Sequence, residues 1–138
     1  MPLILDTGPL LAALDASDEH HEACSALIAG ADEARMIPAP VLVELDYFLT
    51  REFGPKPMRL LLGDVRAGAF EIEPLTATDY ARVSEIMARY QDMRVGFVDA
   101  AVLAIVERRR EPKLATLDRR HFAVMRPAHV TALELLPT

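Results

Sequence analysis

The sequence predicts an α/β fold in which a mainly parallel central sheet carries helices on both faces. Short apolar runs typical of buried strands alternate along the chain with longer stretches of helical periodicity. Such alternation favours parallel strands, because each parallel strand needs a crossover connection before the next one. The chain has 138 residues, of which 51% are hydrophobic, and this is enough for one domain with its own core. We therefore expect a single domain over residues 1–138.

The first strand is predicted at residues 3–5, and a carboxylate, Asp6, follows where the strand ends. Pro9 then suits the first turn of a helix, where its missing N–H costs nothing. A polar break separates this helix from a second one, whose N-cap is expected at Ser17 or Asp18.

The second strand, at residues 35–39, leads into a helix with Pro40 in its first turn. Apolar residues recur along this helix at helical spacing: Val41, Leu42, Leu45, Phe48 and Leu49. Glu44 lies at the edge of this apolar stripe rather than on the opposite side. A carboxylate that leans toward the core needs a partner or a metal ion to offset its desolvation.

The middle of the chain predicts two more helices with a short strand between them. The first begins at Pro57 and runs through the leucines 60–62. Residues 70–73 alternate apolar and polar side chains and are expected to form an edge strand, since a proline follows. Thr76 or Thr78 is expected to cap the longer helix that comes next.

Residues 97–106 are helical and apolar nearly all round, which predicts a central buried helix. Asp99 lies in its first turn, where the helix dipole favours negative charge, but apolar surroundings make an unpaired carboxylate costly. A strand is predicted at 113–117, and Asp118 follows it. A last strand is expected at 130–135.

The composition argues against several classes of protein. The one cysteine, Cys24, leaves no internal disulfide framework and no cysteine-based zinc site, and we expect it to be a small core residue. No apolar run approaches the ~20 residues of a membrane span, and no basic leader precedes an apolar stretch. We therefore expect no membrane association and a cytoplasmic location.

The charge is distributed unevenly along the chain. The net charge of −6 argues against a nucleic-acid partner, yet residues 108–126 contain seven basic and two acidic side chains. All the basic residues but Lys113 are arginines, which bind phosphate in a bidentate manner. This segment is compatible with a local phosphate-binding surface, although arginine-rich helix ends are commonly just solvated.

Four acids share a position in this pattern. Asp6 and Asp118 follow buried strands, while Glu44 and Asp99 lie near the starts of apolar helices. In a parallel sheet these positions lie on the same edge, so all four would converge in one cleft. Converging carboxylates raise one another's pKa unless a cation compensates, and Mg²⁺ or Mn²⁺ suits such oxygen ligands. An ion of this kind activates water against a phosphodiester, and no His, Cys or Lys is placed to take over that role.

A structural alternative stays open at this point. Aspartate at a strand end is often a turn or N-cap residue, so Asp6 or Asp118 alone would carry no information. The two together with Glu44 and Asp99 are harder to explain as caps. The metal site is therefore the preferred interpretation, with coincidence as its alternative.

The acids lie in four short motifs that follow one another in a specific order: Leu5-Asp6-Thr7-Gly8, Val43-Glu44-Leu45, Gly96-Phe97-Val98-Asp99-Ala100 and Thr116-Leu117-Asp118-Arg119-Arg120-His121-Phe122. The ordered set, over essentially the whole chain, resembles a PIN domain, and more narrowly the VapC-type ribonuclease toxins of toxin–antitoxin pairs. This resemblance implies a three-layer PIN-like sandwich. It also implies a Mg²⁺ or Mn²⁺ site lined by Asp6, Glu44, Asp99 and Asp118, with the hydroxyls of Thr7 and Thr116 beside it.

The resemblance further implies an endoribonuclease that cuts a structured RNA such as transfer or ribosomal RNA. Its expected partners are a second copy of the chain and a VapB-type antitoxin, whose C-terminal segment wraps the toxin and blocks the cleft. Arg119 and Arg120, adjacent to Asp118, are candidates for contacts with RNA phosphates. A salt bridge between the subunits of a dimer would explain these two arginines equally well.

Two alternatives come from other functional classes. A phosphoryl-accepting receiver domain also has acids at strand ends, but Asp6 has no acidic neighbour and Lys113 lies at the start of its strand rather than after it. A non-catalytic PIN-like binding module is the closer rival, although loss of catalysis usually removes an acid and none is missing here. Measuring Mn²⁺-dependent RNA cleavage, with a chelator as control, separates an enzyme from a binding module.

Overall fold

The structure is a computed structural model that describes residues 1–138, which form seven α-helices and five β-strands. In chain order these are β1 (Leu3–Ile4), α1 (Thr7–Leu14), α2 (His21–Ala29), β2 (Arg35–Pro38), α3 (Ala39–Phe53), α4 (Lys56–Arg66), β3 (Glu71–Glu73), α5 (Ala77–Arg89), α6 (Phe97–Arg108), β4 (Lys113–Ala115), α7 (Arg119–Phe122) and β5 (Glu134–Leu136). A short 3₁₀ helix, Gln91–Met93, lies between α5 and α6.

The strands form a parallel sheet in the order β3-β2-β1-β4-β5. β1 pairs with β2 and β2 with β3, while β4 pairs with β5. A parallel bridge between Leu5 and Ala115 joins the two sets. The strand order therefore runs outward in both directions from β1 and β4. The space between the carboxyl ends of these two strands is the point at which the winding reverses.

The central strands are buried on both of their faces. Leu3, Ile4 and Leu5 are each fully buried, although successive side chains of a strand point to opposite faces. Met36 and Ile37 of β2 are buried in the same way. Continuous apolar burial of this kind occurs where helices cover both faces of a parallel sheet. The predicted α/β class with a mainly parallel sheet is confirmed.

Helix α6 lies at the centre of the hydrophobic core. Its residues 100–106 are all buried, as its lack of a polar side predicts. They belong to a single cluster of 27 buried apolar residues that also contains β1 and β4 side chains. Neither α6 nor any other helix is both long enough and apolar enough to cross a membrane.

A buried carboxylate, Asp79, fixes the start of α5. It accepts from the backbone N–H of Thr76 and completes a capping box with the Thr76 hydroxyl, so Thr76 rather than Thr78 is the N-cap. Arg108 at the end of α6 donates to Asp79 at 2.9 Å and to Glu73 at 2.8 Å. Arg108, one of the seven basic residues in the 108–126 segment, thus links α6 to α5 and β3 through ion pairs.

The two last strands are shorter than the sequence predicted. β4 covers Lys113–Ala115 instead of 113–117, and β5 begins at Glu134, so the strand predicted at 130–135 is wrong over its first four residues. β5 pairs in register with the three residues of β4. Pro112, which precedes β4, has no N–H to extend the ladder, so residues 130–133 have no strand to pair with.

The expected cap of α2 is also wrong. The helix begins at His21, and the carboxylate of Asp18 accepts from the backbone N–H of His20 at 2.8 Å instead. The polar residues before α2 therefore stabilise a turn rather than the helix terminus. Cys24 on this helix is fully buried, as expected for a small core residue.

The leucines 60–62 do not all face the core. Leu61 is 2% exposed, whereas Leu60 and Leu62 are 61% and 48% exposed. Successive residues of a helix point about 100° apart, so three adjacent side chains cannot share one buried side. Leu60 and Leu62 therefore leave apolar surface on the outer side of α4.

Candidate active site

The carboxyl ends of β1 and β4 lie side by side where the strand order reverses. The backbone N–H of Asp6 donates to the carbonyl of Ala115 at 2.9 Å, which holds the two strand ends together. Asp6 follows β1, and Asp118 lies three residues beyond the end of β4. In open α/β sheets, ligands bind at such a reversal, outside the carboxyl ends of the strands.

A cleft of about 390 Å³ opens at this reversal. Nine residues line it: Asp6, Thr7, Gly8, Leu11, Glu44, Phe48, Asp99, Leu117 and Asp118. The structure thus brings all four of the acids singled out in the sequence into one concavity. Glu44 is supplied by the second turn of α3 and Asp99 by the first turn of α6.

Asp6 is the most deeply buried of the four acids, with 4% of its surface exposed. Its Oδ2 accepts a hydrogen bond from the hydroxyl of Thr116 at 2.8 Å, while its Oδ1 has no partner. Burial raises the pKa of Asp6 to about 7. The Thr116 hydrogen bond opposes this shift, and the charges of Asp99 and Glu44 add to it.

The Thr116 hydroxyl joins the two halves of the cleft. It donates to Asp6 and accepts from the backbone N–H of Asp118 at 3.0 Å, so one side chain orients both strand-end acids. Thr7 is 5% exposed, and its hydroxyl oxygen has no partner. Both threonines therefore lie where the resemblance placed them, at the edge of the carboxylate cluster.

Asp99 and Asp118 meet at a histidine. Nδ1 of His121 lies 2.7 Å from Oδ2 of Asp99 and 3.1 Å from Oδ2 of Asp118. The other oxygen of Asp118 accepts from the backbone N–H of His121 and so caps the four-residue helix α7. The far ring nitrogen, Nε2, lies 3.2 Å from the carbonyl of Met93.

The pKa values of Asp99 and His121 are both raised, and each residue affects the other. Burial raises the pKa of Asp99, opposed by the hydrogen bond from His121 and reinforced by the charge of Asp118. Burial alone would lower the pKa of His121, but the Asp99 hydrogen bond and the charges of Asp118 and Asp99 outweigh it and raise that pKa. A positive charge is therefore favoured at the point where these three side chains meet.

A glycine permits the close packing of the strand ends. A Cβ added at Gly8 would lie 3.2 Å from the Cβ of Leu117, the residue before Asp118. The first turn of α1 thus packs closely against the segment after β4, and the absence of a side chain at position 8 leaves this contact uncrowded.

The donor set in the cleft fits a divalent metal ion. Carboxylates and hydroxyls are the oxygen ligands that Mg²⁺ and Mn²⁺ take. Buried polar atoms rarely remain unpaired, yet the Asp6 Oδ1 and Thr7 Oγ1 atoms have no protein partner. Asp99, Asp118 and His121 also bring one ligand atom each within 4.8 Å of one another.

The two arginines after Asp118 differ in their surroundings. Arg119 donates to the carbonyl of Pro137 at 2.7 Å and to that of Leu135 at 3.4 Å, so it ties α7 to the C-terminal strand. Arg120 is exposed and takes part in no hydrogen bond or ion pair within the chain. Lys113, from the same basic segment, pairs with Glu33 at 3.0 Å.

Sequence reasoning missed the histidine of this site. His121 contacts two acids of the cleft, Asp99 and Asp118, although no histidine was expected to contribute to the site. Its position three residues after Asp118 was visible, since an N-cap acid and the residue at i+3 are neighbours. Its contact with Asp99, 22 residues earlier, depends on the packing of α7 against α6.

Sequence reasoning also missed an apolar cavity beside the acidic cleft. This cavity of about 770 Å³ shares Glu44 and Phe48 with the cleft. Val43, Tyr47 and Phe97 line it and are 75%, 58% and 44% exposed. The acidic cleft therefore continues into a large apolar surface of α3 and the start of α6.

Known proteins resemble this chain over nearly its whole length. A family model described as PIN domain matches residues 3–126. Ribonuclease VapC26 from Mycobacterium tuberculosis is 35% identical over 125 residues, which covers 91% of this chain and 93% of that protein.

Solved structures share the fold at low sequence identity. The sarcin–ricin loop cleaving toxin VapC20 of Mycobacterium tuberculosis matches with a TM-score of 0.80 at 22% identity, covering 93% of this chain and 98% of that one. A chain of VapBC2 from Rickettsia felis, bound to a DNA fragment from its promoter, matches with a TM-score of 0.71 at 18% identity. That match covers 99% of this chain and 100% of the other.

Proposed function

Because the chain belongs to the PIN-domain family, among its VapC-type members, we propose that it is a metal-dependent endoribonuclease toxin. The observation that carries this proposal is the cleft at the strand reversal, where four carboxylates converge and Asp6 keeps one buried oxygen without a partner. The 35% identity to a protein described as a ribonuclease supports the same conclusion.

Asp6, Glu44, Asp99 and Asp118 would hold one or two Mg²⁺ or Mn²⁺ ions, directly or through water. Such an ion, when bound, supplies positive charge that lowers the pKa of a water molecule and stabilises the leaving oxygen of a phosphodiester. The chain's own contribution is to fix the ligands before the ion arrives. Thr116 holds one oxygen of Asp6 and leaves the other free, and Thr7 offers a hydroxyl beside it.

The proposed substrate is a structured RNA such as transfer or ribosomal RNA. The relative that is described as a sarcin–ricin loop cleaving toxin supports this class, since that loop is part of a structured RNA. The side chain of Arg120, two residues after Asp118, is exposed and unpaired, so it is the freer of the two arginines to contact a phosphate. The guanidinium of Arg119, by contrast, already donates to two backbone carbonyls within the chain.

The proposed partners are a VapB-type antitoxin and a second copy of the chain. Solved VapBC assemblies with the same fold support an antitoxin partner. We propose that a segment of the antitoxin covers the cleft and blocks access of RNA. An apolar surface next to the cleft is consistent with a protein partner, because monomers rarely expose large contiguous apolar patches.

The test is RNA cleavage by the purified chain with Mn²⁺ or Mg²⁺, and with a chelator. We expect cleavage of a structured RNA with metal and none with the chelator. Asp6→Asn should lose cleavage while keeping its fold by circular dichroism, and Asp64→Asn, an exposed acid on α4, should match wild type. Full activity of Asp6→Asn would contradict the assignment, and RNA binding without cleavage would indicate a non-catalytic PIN-like binding module.

A further inference from the structure

The Nδ1 atom of His121 lies where two carboxylates of the cleft meet. It is 2.7 Å from Oδ2 of Asp99 and 3.1 Å from Oδ2 of Asp118. One ligand atom from each of the three residues lies within 4.8 Å of the other two. These three atoms are close enough to contact a single ion.

The other ring nitrogen of His121 has a fixed role. Nε2 lies 3.2 Å from the carbonyl oxygen of Met93, which can only accept, so Nε2 carries a hydrogen. In the neutral ring, Nδ1 then presents its lone pair to the two carboxylates. Three converging lone-pair donors need a positive centre among them, either a proton on one of the three side chains or a metal ion.

The contact with Met93 is of the kind that a metal-binding histidine makes. Histidines that bind metals almost always donate their far N–H to a carboxylate, a backbone carbonyl or water, which fixes the tautomer and the ring orientation. Met93 lies in the 3₁₀ helix before α6, outside the carboxylate cluster. The hydrogen bond to Met93 thus fixes the ring of His121 in the tautomer and orientation that a metal ligand requires.

We propose that Nδ1 of His121 is a direct metal ligand, together with Asp99 and Asp118, at this end of the cleft. The proposal rests on the metal dependence proposed above. It adds a nitrogen to a ligand set that the sequence analysis expected to consist of oxygen only.

Two unpaired oxygens in the same cleft point independently to a cation. Asp6 is 4% exposed and Thr7 is 5% exposed, and the Asp6 Oδ1 and Thr7 Oγ1 atoms have no hydrogen-bond partner. Both residues line the cleft together with Asp99 and Asp118. Neither oxygen contacts His121, so this observation does not depend on the histidine.

A nitrogen ligand changes which ion the cleft prefers. Mg²⁺ takes oxygen ligands and keeps several waters, whereas imidazole nitrogen suits first-row transition-metal ions. We therefore expect Mn²⁺ to bind this chain more tightly than Mg²⁺. Removal of the His121 imidazole should reduce that preference.

The direct test is electron spin echo envelope modulation on the full chain with one equivalent of Mn²⁺, because a coordinated imidazole nitrogen modulates the echo of the ion. Wild type should show modulation from a directly bound nitrogen. In His121→Asn the amide can still donate to the carboxylates but offers no nitrogen lone pair, so the modulation should vanish. Its Mn²⁺ affinity by calorimetry should fall by about tenfold or more, the lower end of what loss of a ligand-orienting neighbour costs.

His20→Asn is the matched control, since His20 is exposed and lies outside the cleft, and it should behave as wild type. Bound Mn²⁺ without nitrogen modulation, or unchanged affinity in His121→Asn, would overturn the proposal and leave His121 as a hydrogen-bond donor to the two acids. Cleavage of RNA in those same samples would still support the proposed nuclease. Nitrogen modulation without RNA cleavage would support the ligand and contradict the nuclease, and a lack of Mn²⁺ binding would overturn both.

Discussion

Asp6 differs from the other acids of the cleft in the depth of its burial. The fold places it at the end of a strand in the core, gives one of its oxygens a hydroxyl donor and leaves the other without a partner. Burial without a counter-charge disfavours the ionised form, which is why its pKa rises to about 7. A site of this kind costs stability in the metal-free protein and favours the bound cation.

Removal of this charge should stabilise the metal-free protein. The pKa of Asp6 is raised from an ordinary 3.8 to about 7, so the folded state holds its proton more tightly than the unfolded state does. Wild type should therefore lose stability as pH rises from about 4 to about 7. At pH 8 with a chelator, Asp6→Asn should gain up to a few kcal/mol in the free energy of unfolding.

Urea denaturation at pH 8 and at pH 4 measures this gain. The difference between Asp6→Asn and wild type should shrink at pH 4, where Asp6 is protonated in the folded chain and partly protonated in the unfolded chain. Asp64→Asn serves as the exposed control and should track wild type at both pH values. A variant that is no more stable than wild type at pH 8 would contradict the account of Asp6.

Thr116 should matter for metal binding through its hydroxyl rather than through its volume. Thr116→Val keeps the shape of this fully buried side chain but removes the donor to Asp6 and the acceptor for the Asp118 backbone. We expect metal affinity to fall by about 10-fold to 100-fold, as for other groups that orient ligands. Calorimetric titration with Mn²⁺ measures the loss.

Two control variants separate the hydroxyl from other effects of the change. Thr116→Ser should retain most of the affinity, because it keeps the hydroxyl. Thr50→Val alters an exposed threonine on α3 and should leave the affinity unchanged. Wild-type affinity in Thr116→Val would show that the hydroxyl does not orient Asp6.

At the residue scale, the convergence of the four acids could be predicted from the sequence, whereas the contacts of the histidine could not. Asp6 and Asp118 could be predicted because each follows an apolar run that ends in a turn. Their convergence with Glu44 and Asp99 followed from a general property of parallel sheets. The role of His121 could not be predicted in this way. Its partners Asp99 and Met93 lie far away in sequence and come into contact only when α7 packs beside α6.

At the scale of elements, the site depends on how closely α1 approaches the segment after β4. Gly8 allows this approach, since a Cβ there would lie 3.2 Å from that of Leu117. The acids Asp6 and Asp118 flank this contact in sequence. A side chain at position 8 would therefore crowd Leu117, the residue that precedes Asp118.

Gly8→Ala should destabilise the protein and weaken metal binding. The added methyl group overpacks the contact with Leu117, which typically costs about 1–3 kcal/mol. Gly63→Ala is the matched control, because nothing lies within 4 Å of a Cβ at this position on α4. The same substitution there should stabilise the helix by about 0.5–1 kcal/mol.

Thermal unfolding and Mn²⁺ titration of both variants check this pair of opposite effects. If Gly8→Ala proved as stable as wild type and bound Mn²⁺ equally well, the close approach of α1 would not be needed for the site.

Element boundaries could be predicted where a local pattern decides them. The buried helix α6 and the Thr76 cap are examples, because continuous apolar composition and a capping residue act within a few positions. The start of β5 could not be predicted in this way. Strand length depends on the partner, and Pro112 limits β4 to three paired residues. The exposure of Leu60 and Leu62 on α4 could not be predicted either, because composition does not show which sides of a helix are covered.

At the scale of the whole molecule, an acidic chain is proposed to bind RNA. The net charge is −6, and several basic residues of the 108–126 segment are paired inside the chain. Contact with phosphates would then depend on the few arginines that remain free near the cleft. Arg120 is one of these, since it is exposed and lies two residues after Asp118.

Arg120→Gln should weaken RNA binding uniformly across sequences. Loss of one phosphate contact should reduce the slope of log affinity against log salt by about one at most. Filter binding with a chelator present, over a range of salt concentrations, measures this slope without cleavage. Arg66→Gln, at the exposed end of α4, is the control and should leave the slope unchanged. An unchanged slope in Arg120→Gln would remove this residue from the RNA surface.

The central claim is that the four carboxylates act together as one metal-dependent centre for RNA cleavage. The most direct measurement is the Mn²⁺-dependent cleavage rate of Asp6→Asn, Glu44→Gln, Asp99→Asn and Asp118→Asn, with Glu52→Gln on α3 as the exposed control. Groups that act as a unit are strongly non-additive. Each single variant should therefore lose nearly all activity, and Asp6→Asn combined with Asp118→Asn should be no slower than either alone. Wild-type rates in the single variants, or losses that simply multiply in the double variant, would contradict the account.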